Sequence, residues 1–112
     1  GDMAQYFGVR MALHMAEGPV GAMAAATIGA ATENFIAMEY HANDVPWWND
    51  MVICADNPII KNGFIDIPDR PGLGIDDYND EVLAEHVDPR QPGVWPSTDE
   101  WDDEWCRDRF FN

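Results

Sequence analysis

The sequence predicts an α/β protein built on a parallel strand pair. Three observations predict it. Val9 to Leu13 is a nearly all-apolar run, and such runs suit strands of a parallel sheet. Gly18-Pro19 then opens a helix of small residues, because proline is favoured at the first helical position, where its missing N–H costs nothing. Phe35 to Met38 is a second apolar run. Strand, helix of about four turns and strand make a βαβ unit, whose crossover is expected to be right-handed and whose strands are expected to be parallel. The first strand leads into His14 and the second into Glu39, so both side chains are expected on one rim of the sheet.

Each element follows from local chemistry. Asp2 to Phe7 reads as the end of a helix with Gly8 at its C-terminal stop. Arg10 interrupts the first apolar run and is expected near its beginning, within reach of water. In the helix, Val20, Met23, Ala24, Thr27, Ile28 and Ala31 fall on one face at helical spacing. The opposite face is also small and apolar, which predicts a helix covered on most sides. Asp44-Val45-Pro46 resembles a helix entry, with Trp47 and Trp48 in the first turn, where paired tryptophans most often anchor a core.

From Asn57 the character changes. Pro58 to Pro68 with Asn62-Gly63 at its centre is a hairpin signal, and Pro71-Gly72-Leu73-Gly74 is a tight turn. Asn79 is placed to cap a short helix through about His86, with Val82 and Leu83 inward. From Pro89 the chain is rich in Pro, Trp and acids. Its aromatic residues predict a tail laid across another surface. Two parallel strands and one crossover helix do not cover both faces of a sheet, so the inventory points to the end of something larger or to an unusual α+β domain.

Composition excludes several functions. The 112 residues carry 21 acids against 6 bases, a net charge of −15. Such a surface repels phosphate backbones, so nucleic-acid binding is not expected, and solubility is the plain role of the charge. No apolar run approaches the roughly 20 residues needed to span a bilayer. Cys54 and Cys106 lack metal-ligand spacing, and reduced thiols in a cytoplasmic protein are expected. The chain starts at Gly1 without an initiator methionine, which points to a truncated chain, a processed start or a scar. No Gly-x-Gly-x-x-Gly sits in the first turn, so dinucleotide binding is not supported. The acids from Asp99 to Glu104 lack the alternating pattern of a calcium loop and read as a solvated face.

Four stretches resemble the enolase superfamily, in its mandelate racemase and muconate lactonizing enzyme branch, and most of all its mannonate- and galactonate-type sugar-acid dehydratases. They are Tyr6-Phe-Gly-Val-Arg-Met-Ala-Leu-His14; Pro19-Val-Gly-Ala-Met with Glu33-Asn-Phe-Ile-Ala-Met-Glu39; Pro58 to Ile75, whose hairpin and Pro-Gly-Leu-Gly turn are the most specific; and Asn79 to Val87. The resemblance implies the C-terminal fragment of a modified (β/α) barrel. Residues 1–53 would supply the last two strands and their helices. Residues 54–88 would return to an α+β capping domain, and 89–112 would form a tail packed on the surface. A whole barrel needs roughly 250 residues, so the remaining barrel and capping domain would lie elsewhere in the same parent protein or on another chain, in a homo-oligomer.

What the resemblance implies about chemistry is specific. Such enzymes abstract the proton α to a carboxylate, and Mg2+ stabilises the enediolate. His14 matches the acid/base at the end of the seventh strand, where in a dehydratase it protonates the departing β-hydroxyl. Glu39 matches the acid at the end of the eighth strand that meets the substrate carboxylate or enediolate, a role that calls for a shared proton or a raised pKa. His41, Asn43, Asp44 and Trp47 follow on a loop expected to shape the sugar-acid pocket. The metal ligands would lie on earlier strands, and no metal ligand is assigned in this chain. A racemase or cycloisomerase of the same superfamily, with His14 as one of two opposed bases, and a non-catalytic acidic binding or assembly module are the alternatives.

Overall fold

The computed structural model describes residues 1–42 and 44–90. A short helix α1 (Asp2–Tyr6) ends at Gly8, whose φ of 66° is the left-handed stop that glycine adopts freely. Then come β1 (Met11–Leu13), α2 (Pro19–Ala30) and β2 (Phe35–Met38). β1 and β2 pair in parallel, with Leu13 opposite Met38, as expected of the βαβ unit. The Glu39 N–H donates to the Leu13 carbonyl at 3.0 Å and carries the pairing one residue past β2. At the other end the Asn34 side-chain amide donates to the Val9 carbonyl at 2.7 Å, and the Met11 N–H donates to the Asn34 carbonyl at 2.9 Å. Asn34 therefore fixes how the two strands enter the pair.

Two expectations are corrected here. Val9 and Arg10 lie outside β1, and the strand is half-buried to exposed. Its pairing shifts register between Met11 and Ala12, and β2 is its one neighbour among the described residues. The helix also turns differently from the face drawn at Val20 to Ala31. Pro19, Ala22, Met23 and Gly29 are buried, whereas Thr27 and Ile28 are exposed. A helix that is small and apolar all round has no periodic contrast to orient it, and close approach decides instead. At Gly29 an added Cβ would sit 3.0 Å from the Phe35 ring, so glycine lets α2 lie directly on β2.

Beyond β2 the chain forms a 3-10 turn at Trp48–Met51, then β3 (Val52–Cys54), β4 (Ile60–Lys61), β5 (Phe64–Ile65), β6 (Ile75–Tyr78) and α3 (Asp80–His86). The helix entry expected at Asp44 is this short turn, with Trp47 as its cap and Trp48 as its first residue. β4 and β5 form the expected hairpin, with Asn62 and Gly63 at φ 53° and 82°, the mirror-image turn that matches strand twist. Asn79 caps α3 by accepting the Val82 N–H at 3.4 Å. β3 pairs antiparallel with β6, a pairing the sequence reading did not contain. The core joins Met15, Ala22, Met23, Trp48, Val52 and Ile59 across these elements.

Candidate functional site

Parallel pairing puts the ends of β1 and β2 on one edge, and the residues that follow them meet there. His14 Nδ1 and Glu39 Oε2 are in direct hydrogen-bond contact. The Met15 N–H also faces Glu39 Oε2, at 3.4 Å. His41 Nε2 lies 3.7 Å from the same oxygen, and its ring meets that of His14 edge-on, with centroids 6.4 Å apart. Three of the six residues expected at the site therefore form one group. All three are exposed, and the group opens to solvent.

Two of the other three fall elsewhere. Trp47 stacks on the His86 ring of α3, with centroids 4.1 Å apart and planes 6° from parallel. Asp44 is exposed on the loop and makes no hydrogen bond or ion pair with His14, Glu39 or His41 among the described residues. Asn43 lies outside the described residues, as does the tail beyond Arg90 with Cys106 and the acids from Asp99 to Glu104.

The electrostatics of Glu39 follow from the donors around it. Its pKa is lowered below the usual carboxylate value, chiefly by the His14 hydrogen bond. Burial opposes this as the next largest effect, and the Met15 N–H and the charges of His14 and His41 add smaller lowering contributions. A raised pKa does not arise because the group stands in water among donors instead of in an apolar pocket. An ionised carboxylate only accepts, so the shared hydrogen belongs to His14 Nδ1. That leaves His14 Nε2 as the nitrogen free to take or give a proton. The half-buried Cys54 is a free thiol outside this group.

Trp48, which the sequence offered as a core anchor before a pocket wall, builds the site from beneath. Trp48, 2% exposed, donates from Nε1 to the Glu17 carbonyl at 3.2 Å. Its ring takes the edge of Tyr40 at a centroid distance of 5.4 Å. Glu17 follows His14, and Tyr40 follows Glu39. One buried indole thus braces the loops that carry both polar ends. Sequence showed the tryptophan but not the carbonyl it reaches, which depends on how two loops fold together.

The parallel pair with its crossover helix and the hairpin define a small α/β unit. The chain belongs to the enolase C-terminal domain-like family, whose model matches residues 1–81. It is 38% identical over 87 residues to the D-xylonate dehydratase of Haloferax volcanii, covering 78% of this chain and 21% of that protein. It also superposes with a TM-score of 0.75 on the crystal structure of a mandelate racemase/muconate lactonizing enzyme-like protein from Rubrobacter xylanophilus DSM 9941. That match is 36% identical and covers 81% of this chain and 23% of the other. The chain thus spans about a fifth of the length of the relatives it matches.

The Mg2+ implied by this superfamily finds no site among the described residues. Among the described residues no three or more His, Cys, Asp or Glu side chains come together to hold a metal ion. No helix among them is long and apolar enough to cross a membrane.

Proposed function

We propose that this chain supplies the His14–Glu39 end of a sugar-acid dehydratase acting on aldonic or aldaric acids. The contact between those two side chains, at the shared edge of two parallel strands, is the observation that carries the proposal. The likeness to a D-xylonate dehydratase supports it. In this reading residues 1–53 complete a barrel supplied by the rest of the parent protein. Residues 54–88 return to its capping domain, and 89–112 lie on the surface.

The chain's own chemistry is the handling of one proton. Protonated His14 donates from Nε2 to the β-hydroxyl as its C–O bond breaks, so water leaves instead of hydroxide. Glu39 accepts from Nδ1, fixes the ring plane and steadies the imidazolium before transfer. The base that removes the α-proton lies outside this chain. Loss of the α-proton and the β-hydroxyl leaves an enol, which tautomerises to a 2-keto-3-deoxy acid.

The test uses the complete barrel protein that carries this sequence, with a panel of aldonic and aldaric acids. His14→Asn is expected to lower 2-keto-3-deoxy acid formation by about 100-fold or more, the usual worth of a positioned general acid, with an unchanged circular dichroism spectrum. Undiminished turnover in a folded variant removes His14 from the mechanism.

A further inference from the structure

We infer that His41 is a positioning residue for His14, acting through Glu39 instead of touching the substrate. The inference rests on the proposed role of His14 as the proton donor. Its basis is the convergence on one atom: Glu39 Oε2 meets His14 Nδ1, the Met15 N–H at 3.4 Å and His41 Nε2 at 3.7 Å.

Glu39 is a flexible, half-exposed side chain, and with His14 as its sole side-chain partner it would carry that ring with it as it moved. His41 approaches the same oxygen from the loop after β2, while His14 approaches from the end of β1. The carboxylate is thereby held between two rings that belong to different segments. The edge-on ring contact, at 60° between planes, limits how far either imidazole can swing.

The His41 backbone is itself fixed. On one side Tyr40 packs on the buried Trp48. On the other, the Ala42 carbonyl accepts the Val45 N–H at 3.0 Å and closes the turn. His41 thus stands on an anchored stretch, and its side chain points at the carboxylate that orients the acid. Positioning of this kind changes how often His14 is aligned for transfer, not how well substrate binds.

The experiment compares His41→Ala and His41→Gln with the wild type in the complete barrel protein. Glutamine keeps an N–H donor within reach of Glu39. His41→Ala is expected to lower kcat about two- to fivefold with KM unchanged, and His41→Gln to restore most of it, as befits a weak, exposed polar contact. A raised KM with unchanged kcat overturns the inference and makes His41 a substrate contact. Equal kcat and KM in all three proteins also overturns it. The His14 ring resonances are followed in the same proteins by NMR without substrate. A shift in His41→Ala that His41→Gln reverses supports positioning, and its absence counts against it. If the wild type dehydrates no sugar acid but shows that reversible shift, the functional reading fails and the coupling of the three side chains stands.

Discussion

Replacing Trp48 by phenylalanine tests whether the polar rim depends on one buried brace. The change removes the Nε1–H that meets the Glu17 carbonyl at 3.2 Å and shortens a side chain that is 2% exposed. Loss of that hydrogen bond, leaving a carbonyl with no partner, costs about 1 kcal/mol. The smaller ring leaves a void that adds about 1 kcal/mol. Together they lower stability by about 2 kcal/mol, roughly a 30-fold shift in the folding equilibrium. Trp47→Phe is the control, because its ring is half-buried and stacks on the exposed His86, where loss of stacking costs about 0.5 to 1 kcal/mol. Urea unfolding of the complete barrel protein, followed by far-ultraviolet circular dichroism, reads the difference. Activity adds a second readout, since the brace joins the segments after His14 and Glu39. Trp48→Phe is expected to lose turnover as well as stability, and Trp47→Phe to lose little of either. Equal stability losses in the two variants, or none in Trp48→Phe, would refute the bracing role.

Two further outcomes follow from single residues. Gly74→Ala is expected to lower the unfolding midpoint far more than Gly63→Ala. Both glycines have φ near 80°, but a Cβ at Gly74 would lie 2.5 Å from Pro68 Cγ, while one at Gly63 meets nothing within 4 Å. The strain alone costs about 1 to 2 kcal/mol, and the clash adds about 1 to 3 kcal/mol; equal midpoints would show that the turn shifts freely. For Glu39 the pH dependence has a definite sign. Its folded pKa is lowered, so its stabilising contribution is fully present above the ordinary carboxylate value of roughly 4.3 and is lost as pH falls through the lower folded value. The stability gap between wild type and Glu39→Gln should therefore be constant near neutrality and close in acid, and a gap that persists at full size in strong acid contradicts the sign.

What sequence made legible was mostly local. Gly18-Pro19, Asn62-Gly63 and Asn79 each encode one backbone event, and each stands where it was read. His14 and Glu39 were legible as a pair because parallel strands carry their following residues to the same edge. The pairing of β3 with β6 was not. Ile75-Asp76-Asp77-Tyr78 sets two strand-disfavouring acids between two strand formers, and its partner lies more than twenty residues earlier. The buried face of α2 was illegible for another reason. Alanine and glycine lie on every side, so packing at Gly29, not hydrophobic period, sets the rotation. His41 was named from its place on the loop, but its partner was set by the folded turn around Tyr40 and Trp48, which no spacing rule encodes.

Two surfaces of the chain make opposite chemical offers, and this separates substrate from partner. The larger cleft, about 430 Å³, is lined by Gly29, Phe35, Ala37, Met38, Phe64 and Ile65 among other residues. Tyr40 supplies the sole polar side chain of that lining. A sugar acid presents a carboxylate and a row of hydroxyls, and burying them against such walls would leave most of them without hydrogen bonds. Its walls, with Ile36 and Phe64 exposed, suit apolar side chains of a packing partner, and the exposed Ile28 adds to the same offer. The rim after β1 and β2 presents the reverse, with two imidazoles around one ionised carboxylate. It can donate to a hydroxyl and to a substrate carboxylate when its rings are protonated. Under the proposed function, size alone would send the ligand to the cleft, whereas hydrogen-bonding capacity favours the rim and leaves the cleft to an apolar packing surface.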